Sequence, residues 1–453
     1  MEEWKRTDIL GEREKSILTK RTDGCSGNGM HCDADSVSGS VSQRACVYCG
    51  ARVVLNPITD AYHIIHGPIG CSSYTWDIRG SLTSGEDIYR NSFCTDLRET
   101  DIIFGGGVKL EKAINELADV QHPKLVFVYS TCIVGVIGDD VDAICRQMTE
   151  KHHIPVIPVK SPGFSGNKST GYRMACDAIM QVIRPFKNEK KLKGVNILGD
   201  YNLAGEMWII KNYLAEIGVP VVSSFTGDCS YEEMIQAPQA ALNVVQCAGS
   251  STYLANRMEE EFEIPYMKVS FFGIEDTTSS LIRIAEAMQD EEARKKAVDF
   301  CRKRTEEMQD FIRQYRENLK GRRAAIYVGG GFKAISLIRQ FAFMGMKTVV
   351  VGTQTGKRED YEVIESLVDE DTVILDDANP AELEIFMKEK GADILVGGVK
   401  ERPLAYKLGV AFCDHNHERK HALAGFEGVY HFTKEINESI HSPVWELVKE
   451  GSL

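Results

Sequence analysis

The sequence predicts an α/β protein built from three Rossmann-like domains with mainly parallel sheets. Along the 453 residues, short β-branched runs alternate with a polar or glycine turn and then an amphipathic segment, which is the pattern of parallel α/β units. Polar, glycine and cysteine residues also follow directly after the predicted strands, where open parallel sheets bind their ligands. We therefore expect ligand sites at the strand ends.

Each predicted strand is a short apolar run with turn residues at its ends. In chain order the strands are Leu125–Ser130, Val195–Asp200, Val219–Phe225, Leu242–Gln246, Ala325–Val328, Thr348–Val351, Thr372–Leu375 and Ile394–Val396. After Cys132, a helix capped by Asp139 or Asp140 is predicted. Its apolar face recurs at helical spacing: Val141, Ile144, Cys145 and Met148. Cys145 is therefore predicted to be a packing residue.

Composition divides the chain into an arm and three domains. Residues 1–41 are polar and predict an extended N-terminal arm. A first domain, residues 42–190, ends at the charged stretch Lys187–Lys191, which predicts a linker. A second domain, residues 191–320, ends in a long charged helical segment, and residues 321–453 form the third.

Charge and cysteine content limit the classes of function. The net charge of −13 argues against nucleic acid as a partner, because phosphate binding needs an excess of Lys and Arg on one face. No run approaches the roughly 20 apolar residues of a membrane span, so we expect no membrane partner. The 13 cysteines are scattered, with no leader sequence or dense disulfide framework. We therefore expect a cytoplasmic protein.

Three cysteines stand in short motifs that end hydrophobic runs: Cys46, Cys71 and Cys132. Iron–sulfur clusters are held by thiolates, and three from one chain leave a position for a thiolate of a second chain. The sequence therefore predicts an iron–sulfur cluster at a subunit interface. Cys46 and Cys49 also form a C-x-x-C pair, which suggests zinc or dithiol chemistry instead. That alternative stays open at this point.

A second group of candidates follows other predicted strands. Cys247 comes directly after Leu242–Gln246, and a buried thiol is its alternative interpretation. Lys333 follows a run of three glycines, where it could neutralise an anionic cluster. Lys400 follows two glycines, and a solvated loop lysine is the alternative there. No clean dinucleotide or P-loop motif is present, so nicotinamide and nucleoside triphosphates are not the expected ligands.

A series of longer motifs stands in order along the chain: Pro57–Asp60, His66–Pro68, Trp76–Gly80, Phe104–Gly106, Ile137–Asp140, Gly199–Asn202 and Pro443–Trp445. Together they resemble the nitrogenase component 1 superfamily, from Cys46 to Trp445. Within that superfamily, Ser42–Cys46, Trp76–Gly80 and Tyr129–Cys132 look like the scaffold branch, on which the iron–molybdenum cofactor is completed, rather than the catalytic α subunit.

The resemblance implies the nitrogenase component 1 fold and assigns roles to the predicted domains. Cys46, Cys71 and Cys132 fall on the family positions that hold the interface cluster, which implies a [4Fe-4S] cluster shared between two chains. Residues 42–190 are then the interface-cluster domain. Residues 191–320 would contribute the cofactor cavity, which the third domain would close.

The same resemblance implies a bound cargo, either an iron–sulfur precursor or the iron–molybdenum cofactor with homocitrate. Cys247 matches the family cysteine that binds one end of the large cofactor. Arg79 matches an arginine beside the cofactor, where a guanidinium could donate several hydrogen bonds to cluster sulfides. An ion pair with Asp77 is the alternative. Lys400 resembles a position near the organic acid.

Departures from the catalytic pattern bear on function. Tyr172 stands where the catalytic α subunit carries a histidine thought to serve substrate reduction, and a phenol is a poorer proton donor than imidazole at neutral pH. Lys168 falls near a glutamine position. His415 falls at the histidine ligand of molybdenum, although a one-residue shift would put Asn416 there. The charged residues that flank His415 favour exposure instead.

We therefore expect a scaffold subunit that does not reduce dinitrogen appreciably. The resemblance implies a NifN-like β subunit in an α₂β₂ heterotetramer, the nitrogenase iron protein (NifH), NifB or a carrier as precursor donor, and apo-nitrogenase as acceptor. Two alternatives remain: a catalytic nitrogenase α subunit, which His415 allows and Tyr172 opposes, and a protochlorophyllide reductase-type subunit. Cys247 and Lys400 favour a metal-cluster cavity over the latter.

Overall fold

The computed structural model describes residues 5–20, 30, 32, 45–76, 81–85, 88–188, 190–416 and 419–445. The strands are β1 Ile17–Thr19, β2 Ala61–His66, β3 Ser92–Cys94, β4 Leu125–Ser130, β5 Val156–Lys160, β6 Val195–Asp200, β7 Val221–Thr226, β8 Leu242–Val245, β9 Tyr266–Lys268, β10 Arg323–Val328, β11 Lys347–Thr353, β12 Val373–Asp376, β13 Ile394–Gly397 and β14 Ala411–Asp414.

Helices occupy most of the intervening segments. They are α1 Val47–Leu55, α2 Ile69–Trp76, α3 Glu99–Phe104, α4 Gly107–Gln121, α5 Cys132–Ile137, α6 Val141–His152, α7 Lys168–Ile183, α8 Glu206–Glu216, α9 Tyr231–Gln236, α10 Ala248–Phe262, α11 Ile274–Ala287, α12 Glu291–Leu319, α13 Gly331–Phe343, α14 Arg358–Leu367, α15 Pro380–Lys390, α16 Arg402–Lys407 and α17 Gly425–Ile440. None of the helices in these described ranges is long and apolar enough to cross a bilayer.

The chain forms two compact units. The first, called the thiol unit here, comprises Ala45–Val269 with Arg283–Arg294. The second, called the C-terminal unit, comprises Met1–Arg44, Ser270–Ile282 and Lys295–Leu453. The predicted boundaries of an arm and three domains stay a prediction.

The described residues of the thiol unit form two four-stranded sheets, in the orders β3-β2-β4-β5 and β7-β6-β8-β9. All of the strand pairs in both sheets are parallel. The β2–β4 register runs from Ala61 opposite Leu125 to His66 opposite Ser130, so these two strands end at the same level. Segments that follow them therefore emerge side by side.

The C-terminal unit contains a six-stranded sheet in the order β1-β12-β11-β10-β13-β14. Only β1 is antiparallel to its neighbour there. Strand β1 belongs to the predicted N-terminal arm. Buried Arg13 of the same arm forms an ion pair of 2.9 Å with Glu382. The predicted α/β fold class with mainly parallel sheets is confirmed.

Local sequence predicted the central strands well. The bounds of β4 and β6 match the prediction, and the other predicted strands shift by a few residues at their ends. Helix α6 also matches, because Asp140 caps it by accepting a hydrogen bond from the Ala143 N–H, and Cys145 is buried. Strands β2 and β5 were not predicted. Histidines interrupt the first and Pro158 the second, which lies at a sheet edge where proline is tolerated.

Helices α1 and α7 cross in close contact in the thiol unit. A Cβ at Gly171 would lie 2.0 Å from the Val47 carbonyl oxygen and 2.7 Å from the Ala51 nitrogen. A Cβ at Gly50 would lie 2.2 Å from the Lys168 carbonyl oxygen. Only glycine fits at this crossing, which fixes the start of α1 against the start of α7.

Replacing Gly171 with alanine should destabilise the protein, because its methyl group would collide with backbone atoms that cannot move independently. The expected loss is at least about 1–3 kcal/mol, the usual cost of overpacking. The change is measured as the shift in urea-induced unfolding. Gly249→Ala in α10 is the matched control, since nothing lies within 4 Å of a Cβ there. Equal stabilities of the two variants would contradict the close crossing.

Candidate metal-cluster sites

Three helix starts carry the predicted cluster thiols in the thiol unit. Cys46 is the residue directly before α1, and Cys132 is the first residue of α5 directly after β4. Cys71 lies in the first turn of α2, which follows β2. Because β2 and β4 are adjacent and end at the same level, the Cys71 and Cys132 segments share one edge of the sheet.

Gly163 brings Cys46 and Cys132 together. The Gly163 N–H donates a hydrogen bond of 3.0 Å to Cys132 Sγ. A Cβ at Gly163 would lie 3.0 Å from Cys132 Sγ and 3.7 Å from Cys46 Sγ. Both thiols therefore lie against the same glycine. Cys46 and Cys132 are exposed and Cys71 is half-buried, so the three thiols open to the surface of the unit.

The same thiols also influence one another electrostatically. Burial raises the pKa of the Cys71 thiol, and the neighbouring Cys132 and Cys46 raise it further. Burial likewise raises the pKa of Cys46, with contributions from Cys49 and Cys132, although backbone N–H groups at the start of α1 oppose the rise. Bringing three thiolates together is therefore costly unless a cation compensates them.

The residue types fit an iron–sulfur cluster better than a single metal ion. Among the described residues, no three His, Cys, Asp or Glu side chains converge as one ion requires. A cluster distributes its thiolates over several iron atoms, so thiols gathered around a common opening suit it. Cys46, Cys71 and Cys132 would hold it, and the cluster would supply the positive iron centres that compensate the thiolates. Cys49 is buried within α1, which weakens the zinc alternative.

The turns that precede the Cys71 and Cys132 helices are in tight contact with each other. A Cβ at Gly67 would lie 2.1 Å from Thr131 Oγ1. The Thr131 hydroxyl donates to the His66 carbonyl oxygen at 3.0 Å. Gly67 and Thr131 each precede a cysteine-bearing helix, so this contact fixes the spacing between the Cys71 and Cys132 segments.

Three of the sequence motifs meet in one hydrogen-bond network. The His66 ring bonds to Asp139 through Nε2 at 3.1 Å, and to Thr95 through Nδ1 at 3.1 Å. Asp139 also accepts from the Gly106 N–H at 3.0 Å. The motifs around His66, Gly106 and Asp139 are thus structural supports of the cysteine-bearing turns.

Cys247 occupies an equivalent place in the second sheet of the thiol unit. It stands between β8 and α10 and is half-buried. Gly199, at the end of neighbouring β6, has a φ of +90°, and a Cβ there would lie 2.8 Å from Cys247 Cβ. The alternative interpretation of Cys247 as a buried thiol is therefore wrong. Cys145, Cys176, Cys229, Cys301 and Cys413 are buried, which confirms the packing role predicted for Cys145.

Cys247 and Tyr172 are both neighbours of the buried Tyr201 phenol. Burial raises the pKa of the Tyr201 phenol well above its ordinary value, and the neighbouring Cys247 and Tyr172 add to this rise. The Lys168 ammonium lies 5.9 Å from the centre of the Tyr172 ring. The structure thus gathers a thiol, phenols and a cation at one place in the thiol unit. Arg79, the other candidate here, lies outside the described residues.

Lys333, Lys400 and His415 follow three adjacent strands of the C-terminal unit. Lys333 is in the first turn of α13 after β10, Lys400 is exposed after β13, and His415 directly follows β14. The Lys333 ammonium donates to the His415 carbonyl oxygen at 3.0 Å. These three residues therefore share one strand-end edge.

His415 is fully buried, so the exposure favoured by its charged neighbours is wrong. Its ring lies 5.5 Å from the Phe272 ring and 5.6 Å from the Phe432 ring, centre to centre. Neither ring nitrogen has a hydrogen-bond partner among the residues that the structure describes. Burial lowers its pKa well below the ordinary value, and Lys333 and Arg419 lower it further. The ring is a neutral imidazole with unused nitrogen atoms, a suitable form for a metal ligand.

Sequence analysis missed Glu401. This carboxyl is 2% exposed at the same strand-end edge, one residue after Lys400. Oε2 accepts from the Gly398 N–H at 2.7 Å, whereas Oε1 is buried with no partner. Burial raises its pKa to about 7. A glutamate between a lysine and an arginine predicts a solvated turn, so nothing local indicated burial.

Glu401→Gln should make stability less dependent on pH. Below about pH 4.5 the carboxyl is protonated in both states, so its contribution to stability is fully present. As the pH rises to about 7, Glu401 ionises only in the unfolded state, so its contribution to the free energy of unfolding is lost. The glutamine variant should gain on the order of 3 kcal/mol relative to wild type between pH 4.5 and 8.

Urea-induced unfolding at these two pH values measures this gain. Glu359→Gln, which removes an exposed carboxyl from the same unit, should show no comparable gain. A Glu401→Gln variant whose stability parallels wild type at both pH values would contradict the buried, neutral carboxyl.

Exposed apolar side chains surround the cluster thiols. Ile69, two residues before Cys71, is 58% exposed, and Val136 in α5 is 76% exposed. Phe164, which directly follows Gly163, is 64% exposed. A second run on α3 and α4 comprises Ile103, Phe104 and Val108. Apolar surface next to half-exposed thiols is typical of a protein interface.

Comparison with known proteins identifies the relatives of this chain. The model of a family described as nitrogenase component 1 type oxidoreductase matches residues 46–441. The nitrogenase iron-molybdenum cofactor biosynthesis protein NifE of Clostridium pasteurianum is 63% identical over 446 residues, covering 98% of each chain. The protein of the same name from Methanosarcina barkeri is 49% identical over 454 residues, again covering 98% of each chain.

Solved structures agree with these relatives. A structure described as nitrogenase Cp1 at pH 6.5 superposes with a TM-score of 0.89 at 29% identity, covering 96% of each chain. A second, at pH 5, gives the same TM-score at 30% identity and covers 97% of each chain.

Proposed function

The chain belongs to the nitrogenase component 1 type oxidoreductase family, and from this premise we propose that it is a scaffold subunit of iron–molybdenum cofactor biosynthesis. It binds an iron–sulfur precursor and supports the insertion of molybdenum and homocitrate before transfer to apo-nitrogenase. The observation that carries this proposal is the full-length similarity to proteins named for that biosynthesis, at up to 63% identity. The resemblance inferred from the sequence motifs is confirmed.

The alternatives are not favoured. A catalytic α subunit would need a proton donor near the cargo, and this chain has Tyr172 in the cluster around Cys247. A phenol, with an ordinary pKa of about 10, is a poorer proton donor at neutral pH than imidazole. A protochlorophyllide reductase-type subunit has no support from the named relatives.

We assign the interface cluster, a [4Fe-4S] cluster, to Cys46, Cys71 and Cys132. Support comes from the shared sheet edge of Cys71 and Cys132, the contact of Cys46 and Cys132 with Gly163, and the raised pKa of the Cys71 thiol, to which Cys132 and Cys46 contribute. We assign cargo binding in the thiol unit to Cys247, Lys168 and Tyr172, together with Arg79.

In the C-terminal unit we assign cargo binding to Lys333, Lys400 and His415. Support for His415 is its neutral ring with two unused nitrogen atoms. Lys333 and Lys400 supply positive charge, which an anionic cluster and its organic acid need when they leave water.

We infer a NifN-like β subunit as the partner that completes the interface cluster within an α₂β₂ heterotetramer. The exposed apolar side chains beside Cys71 and Cys132 support a protein contact at that place. The scaffold role requires three further partners: the nitrogenase iron protein, NifB or a carrier as donor, and apo-nitrogenase as acceptor. The scattered cysteines suit the reducing cytoplasm, where we place the protein.

A maturation assay tests the proposed function. The purified complex, loaded with iron–sulfur precursor, is incubated with the iron protein, ATP, molybdate and homocitrate. It should then activate cofactor-less nitrogenase, measured as acetylene reduction by the acceptor. Omission of molybdate or homocitrate should abolish activation.

The complex itself should produce negligible ammonia from dinitrogen. Tyr172→His alone should not restore this reaction, because catalysis also depends on fixed ligation and its surrounding shell. Robust ammonia production by the unmodified complex would establish a catalytic subunit instead. Failure to activate the acceptor, where a known scaffold succeeds, would also overturn the proposal.

A further inference from the structure

The C-terminal unit contains a cavity that the proposed function does not use. Its volume is about 360 Å³, within the range of small-molecule sites. Apolar side chains from α12, α13 and α17 form most of its wall, among them Ile312, Phe343, Met344 and Val429. It can therefore exclude water from an apolar ligand of moderate size.

One polar side chain of the wall lacks a partner. Gln340 is 7% exposed, and its Nε2 is buried with no hydrogen-bond partner in the described part of the chain. The side chain lies over Gly273, where a Cβ would be 3.0 Å from Gln340 Cγ. A buried amide N–H without an acceptor costs about 1–3 kcal/mol. A ligand with a hydrogen-bond acceptor would recover that energy.

The charged groups of the wall neutralise each other. Arg339 donates to Asp276 Oδ1, and the Ser336 hydroxyl donates to Asp276 Oδ2 at 2.7 Å. The remaining charged lining residue, Glu275, is acidic and exposed. No net positive charge is therefore available for an anion, and the wall favours an uncharged ligand.

We propose that this cavity binds an uncharged, largely apolar small molecule that presents one carbonyl-type acceptor to the Gln340 amide. The apolar wall takes the body of the ligand, and the Gln340 N–H fixes its orientation. This site contains none of the cluster thiols, and it shares only Phe272 with the surroundings of His415.

The probe for the test is prodan, a neutral naphthalene derivative with one ketone, whose emission shifts to the blue in apolar surroundings. The purified full-length protein, in the complex it forms in the cell, is titrated with prodan. We expect saturable, blue-shifted emission with one site per chain. Gln340→Leu keeps an apolar side chain but removes the donor, and it should weaken binding about fivefold, as expected for one neutral hydrogen bond.

Two further variants test the location. Ala342 lines the cavity on its exposed side, so Ala342→Trp should fill the entrance and weaken binding at least about tenfold. If Ala342→Trp does not fold, Phe343→Ala replaces it, because this change removes a 39% exposed apolar side chain from the wall. Val363→Trp is the matched control, because Val363 is also 39% exposed but does not line the cavity.

Each outcome decides the proposal. Weakening by the cavity variants with normal binding by Val363→Trp supports it. Absence of saturable binding overturns it, as does binding that all variants leave unchanged, since prodan would then lie on another apolar surface. Unchanged or tighter binding by Gln340→Leu overturns the role of the amide.

Discussion

Cys71→Ala should remove most of the iron of the interface cluster while the protein remains folded. Cys71 is one of three thiols at the common edge of β2 and β4, and no other described cysteine occupies the first turn of α2. Mutation of a residue that only supports a metal ligand typically lowers metal affinity by roughly 10–100-fold. Loss of a direct ligand should therefore lower the affinity for the cluster by at least that much. Iron analysis and electron paramagnetic resonance of the anaerobic complex measure the change.

Cys94→Ala is the matched control for this experiment. Cys94 is a half-buried thiol of the same unit, and its Sγ lies 3.5 Å from the Gly67 carbonyl oxygen. Its removal should leave the cluster iron unchanged. Full iron occupancy in Cys71→Ala, or in this chain alone as a monomer, would contradict a cluster shared with a partner subunit.

Cys247→Ala should release the precursor and leave the interface cluster in place. The side chain lies at a different sheet from the cluster thiols, after β8, and Gly199 makes room for it. Without its thiolate, the cargo keeps only hydrogen bonds and charge contacts in the thiol unit. We expect at least roughly tenfold weaker retention of the precursor, measured as iron and sulfide that remain after gel filtration under anaerobic conditions.

Two controls separate ligation from packing at this position. Cys176→Ala removes a fully buried thiol whose Sγ lies 3.5 Å from the Ser250 carbonyl oxygen in α10. It should retain the precursor. Cys247→Ser keeps the size of the side chain but offers a harder oxygen, and it should resemble Cys247→Ala. Simultaneous loss of both clusters in Cys247→Ala would mean that the residue supports the fold.

The two predictions have different consequences for the scaffold role. A scaffold must release what it holds, so the cargo site needs ligands that compete weakly with those of the acceptor. The proposed interface cluster has no such requirement, and contacts of Gly163, Gly67 and Asp139 hold the thiol-bearing turns in place. We therefore expect the cargo to be lost from the protein more readily than the interface cluster.

Local sequence determined the central strands and the placement of the thiols. Strands β4 and β6 are short, mainly apolar runs that stay buried along their whole length, and the sequence pattern defined their bounds. Cys247 directly follows a predicted strand and Cys132 follows one after a single residue, and the rule for parallel sheets put both at ligand-binding edges. The ordered motifs also indicated the family from the sequence alone, because each motif is contiguous in the chain.

Tertiary structure alone decided which polar groups are buried. His415 and Glu401 both stand beside charged residues, a pattern typical of solvated loops, yet both are buried. Phe272 and Phe432 cover the His415 ring, and they come from segments far from it in sequence. Burial, and with it the pKa of each group, depends on such distant contacts. The sequence could therefore indicate which residues reach the strand ends, but only the packing of distant segments set their charge and accessibility.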